Sequence, residues 1–294
     1  MIKTRKRRRT MLYIPGNNPA MLQQGGVYGA DSLLLDLEDA VAVNQKDAAR
    51  ILVRNLIQSV DFYESEVCVR VNHLSTPFGL ADLETIVPLQ PHAIRYPKTE
   101  SAEEVLELVK IIERIEDEHG LPHNQMEIHA MIETAMGIQN AFLIAGASTR
   151  IGALTIGGQD LTADMNIVYT PDGVGIDFAR KRIVMAAKAW KIDCIDTVFP
   201  DVNDEEGLRM ETEYGKKIGF NGKAVINPRQ IDIIHEVYSP TEEEIRKAYK
   251  IVKEFLVNKK AGVGVFAIDG KMIDAPVVAR AEYILELANI QVQV

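Results

Sequence analysis

The chain has 294 residues, of which 47% are hydrophobic and 26% charged, and its net charge is −9. This is an ordinary globular composition with ample chain for a large core, and no apolar run approaches the roughly 18 residues of a membrane-spanning helix. Cys68 and Cys194 are the only cysteines, and both lie in predicted strands. We therefore expect buried free thiols, no zinc site and a cytoplasmic protein.

The first ten residues carry six bases and no acid, whereas the rest of the chain is acidic. Such a basic arm suits an anionic partner or nucleic acid. The alternative, a solvated and frayed terminus, is favoured for Lys3 to Arg7. No aromatic interleaving or nucleic-acid-reading module accompanies the bases, so we expect neither a nucleic-acid nor a membrane partner.

Short apolar runs alternate with helical patterns along the chain. Strands are predicted at residues 11–14, 32–39, 66–72, 93–98, 129–133, 151–156, 195–199 and 223–226. Asn18-Pro19 and the capping box Ser101 to Glu104 each begin a helix. Eight strands in a chain of this length predict an α/β protein with a (β/α)8 barrel, often called a TIM barrel. A doubly wound sheet would have fewer strands and a glycine-rich phosphate turn after the first, which is absent.

The chain continues beyond what a barrel needs. We place the barrel and its basic arm at residues 1–238, and a C-terminal helical extension at residues 239–294. Thr241 begins a helix to about residue 259, followed by a turn with Gly262 and Gly264 and by a final helix. This extension is a candidate lid or subunit contact.

Two acids follow successive predicted strands. Glu133 closes the fifth strand, and Asp160 comes just after Gly157-Gly158 at the end of the sixth. Two carboxylates at neighbouring strand ends suggest a hard divalent cation held by oxygen, most plausibly Mg²⁺. The alternative is that each acid caps the helix that follows it.

Other strand ends are polar as well, and barrel active sites gather at these ends. Each has a structural alternative: Arg70 as a rim ion pair, Asp36 and Glu38 as solvated acids, Lys98 as a helix-end charge. Together they suggest a site for a small oxygen-rich anion, with Arg70 suited to a carboxylate. No serine- or cysteine-based nucleophile is evident, and a Schiff base on Lys98 stays open. The polar strand-end residues are Pro15, Gly16, Asp36, Glu38, Arg70, Lys98, Glu133, Asp160 and Asn227.

These segments resemble the citrate lyase beta subunits, within the wider family of malyl-CoA and citramalyl-CoA lyases and related HpcH/HpaI-type aldolases. The matching segments keep their order along almost the whole chain, at residues 9–16, 35–41, 69–72, 96–99, 132–134, 157–160, 222–231 and 270–276. Two departures are Thr10, where many relatives have serine, and Gln159, where relatives often have glutamate. Because this chain has glutamine at position 159, the resemblance does not extend to any supporting role that the glutamate has in relatives.

The resemblance implies Mg²⁺ at Glu133 and Asp160, with a substrate carboxylate at Arg70. It aligns Asp274 with an aspartate that some relatives lend to a neighbouring subunit. It also implies a homotrimer or larger oligomer. The substrate would be carried by the acyl carrier protein of a citrate lyase complex that also contains an acyltransferase subunit, or by CoA.

The implied reaction is a retro-Claisen cleavage of a citryl thioester into oxaloacetate and an acetyl thioester. Asp274 is a candidate proton donor to the enolate if closure buries it. Asp36 and Glu38 are in the right region for a base, although they also suit a role beside metal-bound water. A free-standing malyl-CoA or citramalyl-CoA lyase and a non-catalytic assembly subunit remain as alternatives. The joint presence of Arg70 with the two metal-site acids argues against the last of these.

Overall fold

The computed structural model describes residues 7–168, 170, 173–260, 266–268 and 270–292. The predicted turn at Gly262 and Gly264 and the bases Lys3 to Lys6 lie outside the described residues. The chain divides into two compact units, residues 1–235 and residues 236–294. None of the described helices combines the length and apolar character needed to cross a membrane.

The first unit is a closed barrel of eight parallel strands, as predicted. Each strand pairs with the next along the chain, and β8 closes the barrel by pairing with β1. The strands are β1 (Thr10–Pro15), β2 (Ser32–Asp36), β3 (Glu66–Arg70), β4 (Ala93–Tyr96), β5 (Glu127–Ile132), β6 (Ile151–Ile156), β7 (Asp193–Asp196) and β8 (Gly222–Val225).

Helices follow the strands around the barrel. Their starts obey local capping chemistry, since Ser101 and Glu104 form the predicted capping box. The helices are α1 (Pro19–Gln24), α2 (Lys46–Ser59), α3 (Gly79–Ile86), α4 (Ala102–Glu118), α5 (Ala135–Gly146), α6 (Gly158–Asp164), α7 (Asp177–Ala189), α8 (Glu205–Ile218) and α9 (Ile231–Tyr238), within which the boundary between the units falls.

The barrel interior is apolar in the middle and charged toward both ends. Met11, Leu34, Cys68, Ala93 and Ile195 form one buried cluster, with Tyr13 packed against it. Because side chains alternate along a strand, the residues two positions further on β2, β3 and β4 also face inward. These are Asp36, Arg70 and Arg95.

Arg8 holds the opposite end of the barrel together. Its guanidinium forms ion pairs with Glu66, Glu127 and Asp193, at 2.6, 2.5 and 3.0 Å, and the side chain is buried. The neighbouring Arg9 pairs with Asp31 on the barrel surface at 2.8 Å. Composition alone assigns Arg8 to a basic arm, whereas the structure shows that Arg8 ties three strands together.

The predicted position of strand seven was wrong. The strand is Asp193–Asp196, earlier than the predicted residues 195–199. Its two end carboxylates are buried because Arg8 pairs with Asp193 and Arg180 pairs with Asp196. A search for apolar alternation passes over such a strand, since its ends are charged. Helices α3 and α8 were likewise not predicted.

The second unit contains α10 (Glu242–Lys260), the antiparallel pair β9 (Phe266–Ile268) and β10 (Lys271–Ile273), and α11 (Ala275–Leu287). Ala248 and Val252 of α10 pack against Ala281 and Leu285 of α11. Thr241 and Glu244 form the predicted capping box of α10. The unit thus has a small core of its own.

Candidate active site

Arg70 is fixed by carboxylates on two sides. Its Nε and Nη2 donate to the two carboxylate oxygens of Asp36, at 2.7 and 2.6 Å, and its Nη1 lies 2.8 Å from Oε2 of Glu38. Asp36 is fully buried and also accepts from the backbone N–H groups of Glu38 and Ala40. The guanidinium is therefore held in one orientation before any ligand arrives.

Lys98 joins this group through Glu38. Its ammonium lies 2.5 Å from Oε1 of Glu38, and its backbone, with a positive φ of 47°, donates an N–H to Oε1 of Glu133 at 2.7 Å. Burial would lower the pKa of Lys98, but the hydrogen bond and charge of Glu38 outweigh it and raise the pKa. A protonated amine has no lone pair for attack, so the geometry favours an electrostatic role for Lys98 over a Schiff base.

Glu133 is buried with one oxygen unsatisfied. Its Oε2 has no hydrogen-bond partner among the described residues. Burial, together with the negative charges of Asp160 and Glu38, raises the pKa of Glu133 to about 8. A buried acid placed beside another acid without a cation is costly, and a bound divalent ion would remove that cost. The donor set therefore fits Mg²⁺.

The two glycines before Asp160 make room for this arrangement. A Cβ on Gly157 would lie 2.3 Å from Oε2 of Glu133, and one on Gly158 would lie 2.6 Å from Oγ1 of Thr197. The Gly158 N–H donates to that same hydroxyl at 3.1 Å. The turn that carries Asp160 is thus fastened to the segment after β7 and packed directly against the Glu133 carboxylate.

Neither acid caps a helix. Thr134, not Glu133, accepts the N–H that caps α5, and α6 begins at Gly157 without any side-chain cap. Asp160 lies in the first turn of α6 and makes no ion pair or hydrogen bond with another described residue. The structural alternative for both acids is therefore not supported, and both carboxylates keep an oxygen available for a ligand.

A cavity of about 350 Å³ opens at this end of the barrel. It is lined by Pro15, Asp36, Arg70 and Asp160 among the predicted site residues, and also by Tyr13 and Met131. Gly16 contributes through its backbone, which donates to the Asp36 carbonyl at 2.8 Å; a Cβ at Gly16 would lie 2.6 Å from that oxygen.

Two predicted residues have local structural roles. Asn227 accepts from the N–H of Arg229 at 3.0 Å and so begins a short helical turn after β8. Asp274 belongs to the second unit, where it accepts from the N–H of Val277 at 3.2 Å and caps α11.

Sequence reasoning did not single out Tyr13, Arg95 or Lys46. Lys46 donates to the carbonyls of Leu37 and Glu38 at 2.9 and 2.7 Å, which fixes the loop after β2. Arg95 and Tyr13 share one hydrogen bond beneath the cavity. The signal that could have found Arg95 was the strand alternation, which turns position 95 to the same interior side as Ala93.

The chain resembles known proteins in sequence and in fold. A family model described as HpcH/HpaI aldolase/citrate lyase matches residues 9–228. The citrate lyase subunit beta of Leuconostoc mesenteroides subsp. cremoris is 44% identical over 96% of this chain and 93% of its own length. The mitochondrial citramalyl-CoA lyase of Rattus norvegicus is 33% identical over 96% of this chain and 86% of its own length.

A solved structure shows the same architecture. The protein CitE of Mycobacterium tuberculosis, in complex with magnesium, acetoacetate and coenzyme A, superimposes with a TM-score of 0.77. The two sequences are 29% identical, and the match covers 96% of this chain and 98% of that one.

The family match and the relatives' names identify this barrel protein as a carbon–carbon lyase. The chain belongs to the HpcH/HpaI aldolase/citrate lyase family.

Proposed function

We propose that this chain is a Mg²⁺-dependent lyase that cleaves a citryl thioester into oxaloacetate and an acetyl thioester. The observation that carries the proposal is that buried Glu133, whose carboxyl group feels the charge of Asp160, has an oxygen with no hydrogen-bond partner among the described residues. Asp160 lines the cavity together with Arg70, whose guanidinium is held in one orientation. The 44% identity to a citrate lyase subunit beta supports citryl over other acyl groups. A non-catalytic assembly subunit would have no use for an acid pair that is costly to bury.

The reaction breaks the bond between the hydroxyl-bearing carbon and the methylene next to the thioester carbonyl. The hydroxyl proton is lost as the ketone forms, and the electron pair leaves as a thioester enolate that takes up a proton. Glu133 and Asp160 would hold Mg²⁺, which supplies Lewis acidity toward substrate oxygen.

The protein's own residues position the substrate. Arg70 binds a substrate carboxylate through its guanidinium, while Asp36 and Glu38 prevent the guanidinium from turning away. Orientation of this kind lowers the barrier because the bond to be broken is aligned in advance. The Lys98 ammonium pairs with Glu38, which also contacts Arg70, and so adds a positive charge to this group.

We further propose that the thioester is carried by an acyl carrier protein, in a cytoplasmic citrate lyase complex with an acyltransferase subunit. The support is the name of the relatives, which is that of one subunit of a larger enzyme. Cys68 and Cys194 are buried and are not joined by a disulfide, which suits a reducing compartment. A homotrimer or larger oligomer, in which Asp274 reaches an adjacent subunit's cavity, belongs to the same proposal.

The test compares thioesters at equal concentration with purified protein and Mg²⁺. Citryl-carrier protein, citryl-CoA, malyl-CoA and citramalyl-CoA are supplied separately, and oxaloacetate, glyoxylate or pyruvate is measured as the oxo-acid product. We expect the highest kcat/KM with citryl-carrier protein. A higher value with citramalyl-CoA or malyl-CoA would instead assign the chain to those lyases, and no cleavage of any thioester would reject the lyase proposal.

A further inference from the structure

Arg95, on β4, is a positively charged side chain that is buried in the barrel. The side chain is 0% exposed, and it forms no ion pair with any residue in the part of the chain that the structure describes. Its Nε has no hydrogen-bond partner there either. Its two remaining nitrogens contact only the Tyr13 hydroxyl and the sulfur of Met11. Burying an unpaired charge is expensive, so this arrangement calls for an anion that the protein does not itself supply.

The charge lies directly beneath the cavity. Arg95 is the register partner of Arg70 on the neighbouring strand, and the two guanidinium groups lie 5.7 and 5.1 Å from the centre of the Tyr13 ring. Asp36 and Glu38 neutralise Arg70, whereas Arg95 keeps its charge. Arg95 therefore places a positive charge beside Tyr13, which lines the cavity.

The Tyr13 hydroxyl can relay the electrostatic effect of Arg95 to a ligand through a hydrogen bond. Arg95 Nη1 donates to the Tyr13 oxygen at 2.9 Å, so the hydroxyl proton must point elsewhere. The only other polar contact of this hydroxyl within the described chain is the sulfur of Met131 at 3.9 Å, a weak acceptor. A hydroxyl that already accepts from a cation is a stronger donor, and a carboxylate is the acceptor that would use it best.

We propose that Tyr13 and Arg95 select a substrate with a second free carboxylate. In this proposal the Tyr13 hydroxyl donates to that carboxylate, and Arg95 is a positioning residue that orients the hydroxyl and balances the charge. The inference rests on the proposed citryl function, because a citryl thioester has two free carboxylates. Malyl and citramalyl thioesters have one, which Arg70 would bind.

The test uses Tyr13→Phe, Arg95→Met and Arg95→Lys, with Tyr63→Phe as a matched control on a tyrosine that is 68% exposed. Citryl and citramalyl groups are offered on the same thioester carrier. We expect Tyr13→Phe and Arg95→Met to lower kcat/KM for citryl by roughly 10- to 100-fold, the loss expected for a hydrogen bond to a charged group. The citramalyl rate should change by less than about twofold, because that substrate makes no such bond. Arg95→Lys should recover part of the citryl rate.

Equilibrium binding gives a second readout that does not depend on turnover. With Mg²⁺ present, Tyr13→Phe should weaken binding of oxaloacetate, which has two carboxylates, and leave binding of pyruvate unchanged. If the wild type cleaves citryl but the variants lower both substrates equally, or neither, the inference is wrong while the proposed function stands. If the wild type cleaves no citryl thioester, the proposed function itself fails. Tyr13→Phe keeps the ring in place, so the test does not depend on Arg95→Met folding.

Discussion

Asp36 and Arg70 are register partners on adjacent strands, and the aspartate accepts both parallel hydrogen bonds of the guanidinium. The Asp36 carboxylate therefore sets the orientation of the Arg70 guanidinium. Since both oxygens of Asp36 are occupied by Arg70 and by backbone N–H groups, it is poorly placed to remove a proton from substrate. These hydrogen bonds favour a positioning role for Asp36 over its candidate role as a base.

We expect Asp36→Asn to lower kcat/KM by roughly 10- to 100-fold, since an amide accepts through one oxygen only and leaves the guanidinium misaligned. Steady-state kinetics on the preferred thioester provides the measurement. Asp47→Asn is the control, because the Asp47 side chain is 80% exposed. Equal activity of Asp36→Asn and wild type would show that Arg70 needs no such support.

Asp160→Asn should cost roughly 100-fold or more in rate, because a Lewis-acidic metal is worth several kcal/mol to such a reaction. Calorimetric titration with Mg²⁺ should show weakened binding, with the thermal unfolding midpoint little changed. Asp164→Asn, one turn later on α6, is the matched control, since within the described chain its side chain accepts the N–H of Ala135 alone. Full activity of Asp160→Asn in the presence of a chelator would exclude a direct metal ligand.

In the metal-free protein, Glu133→Gln should raise the thermal unfolding midpoint. The unfolded carboxyl ionises near its ordinary pKa of 4.5, whereas burial and the neighbouring acids hold the pKa of folded Glu133 at about 8. Between these values the unfolded state binds fewer protons, so stability falls as the pH rises. The gain from glutamine should be absent below about pH 4.5 and complete above about pH 8.

Thermal melts with a chelator across this pH range measure the effect, and Glu107→Gln on the exposed side of α4 is the control. Added Mg²⁺ should stabilise the wild type more than the variant. A constant difference in melting temperature at every pH would contradict an uncompensated acid at position 133.

Arg8→Met should destabilise the barrel by about 3–5 kcal/mol, because it leaves the carboxylates of Glu66, Glu127 and Asp193 without their shared cation. Denaturant unfolding measures the loss, with the exposed Arg7→Met as control. Activity per folded molecule should stay near that of the wild type, since this cluster lies at the opposite end of the barrel from the cavity. An unchanged unfolding midpoint would show that the buried ion pairs of Arg8 do not stabilise the barrel.

Asp274→Asn tests the proposed contribution of the C-terminal unit. Asparagine retains the capping of α11 but cannot donate a carboxyl proton, so we expect activity to fall while stability is kept. Mixing this variant with Arg70→Ala should restore part of the activity if subunits share sites. Hybrid oligomers that form but stay inactive would show that Asp274 does not act across a subunit boundary.

The sequence alone determined the barrel and the edge at which its polar residues gather. Alternating apolar positions, glycine turns and capping boxes are local signals, and parallel strands bring their carboxyl ends to one side. For that reason the residue pattern is enough to group Glu133, Asp160 and Arg70 at one end of the barrel. The same local signals failed at β7, whose charged ends are satisfied only by residues distant in the chain.

Only the tertiary structure decided which charged side chains form ion pairs with one another. The pairing of Asp36 with Arg70 depends on the register between β2 and β3, and neither segment encodes that register by itself. Among the described residues, one oxygen of Glu133 has no hydrogen-bond partner and Arg95 has no ion-pair partner. Both features result from burial, because a polar group becomes costly only when folding removes its water and supplies no partner. The residue types therefore determined which functional groups are present. The closed barrel determined which of those groups can still bind a ligand.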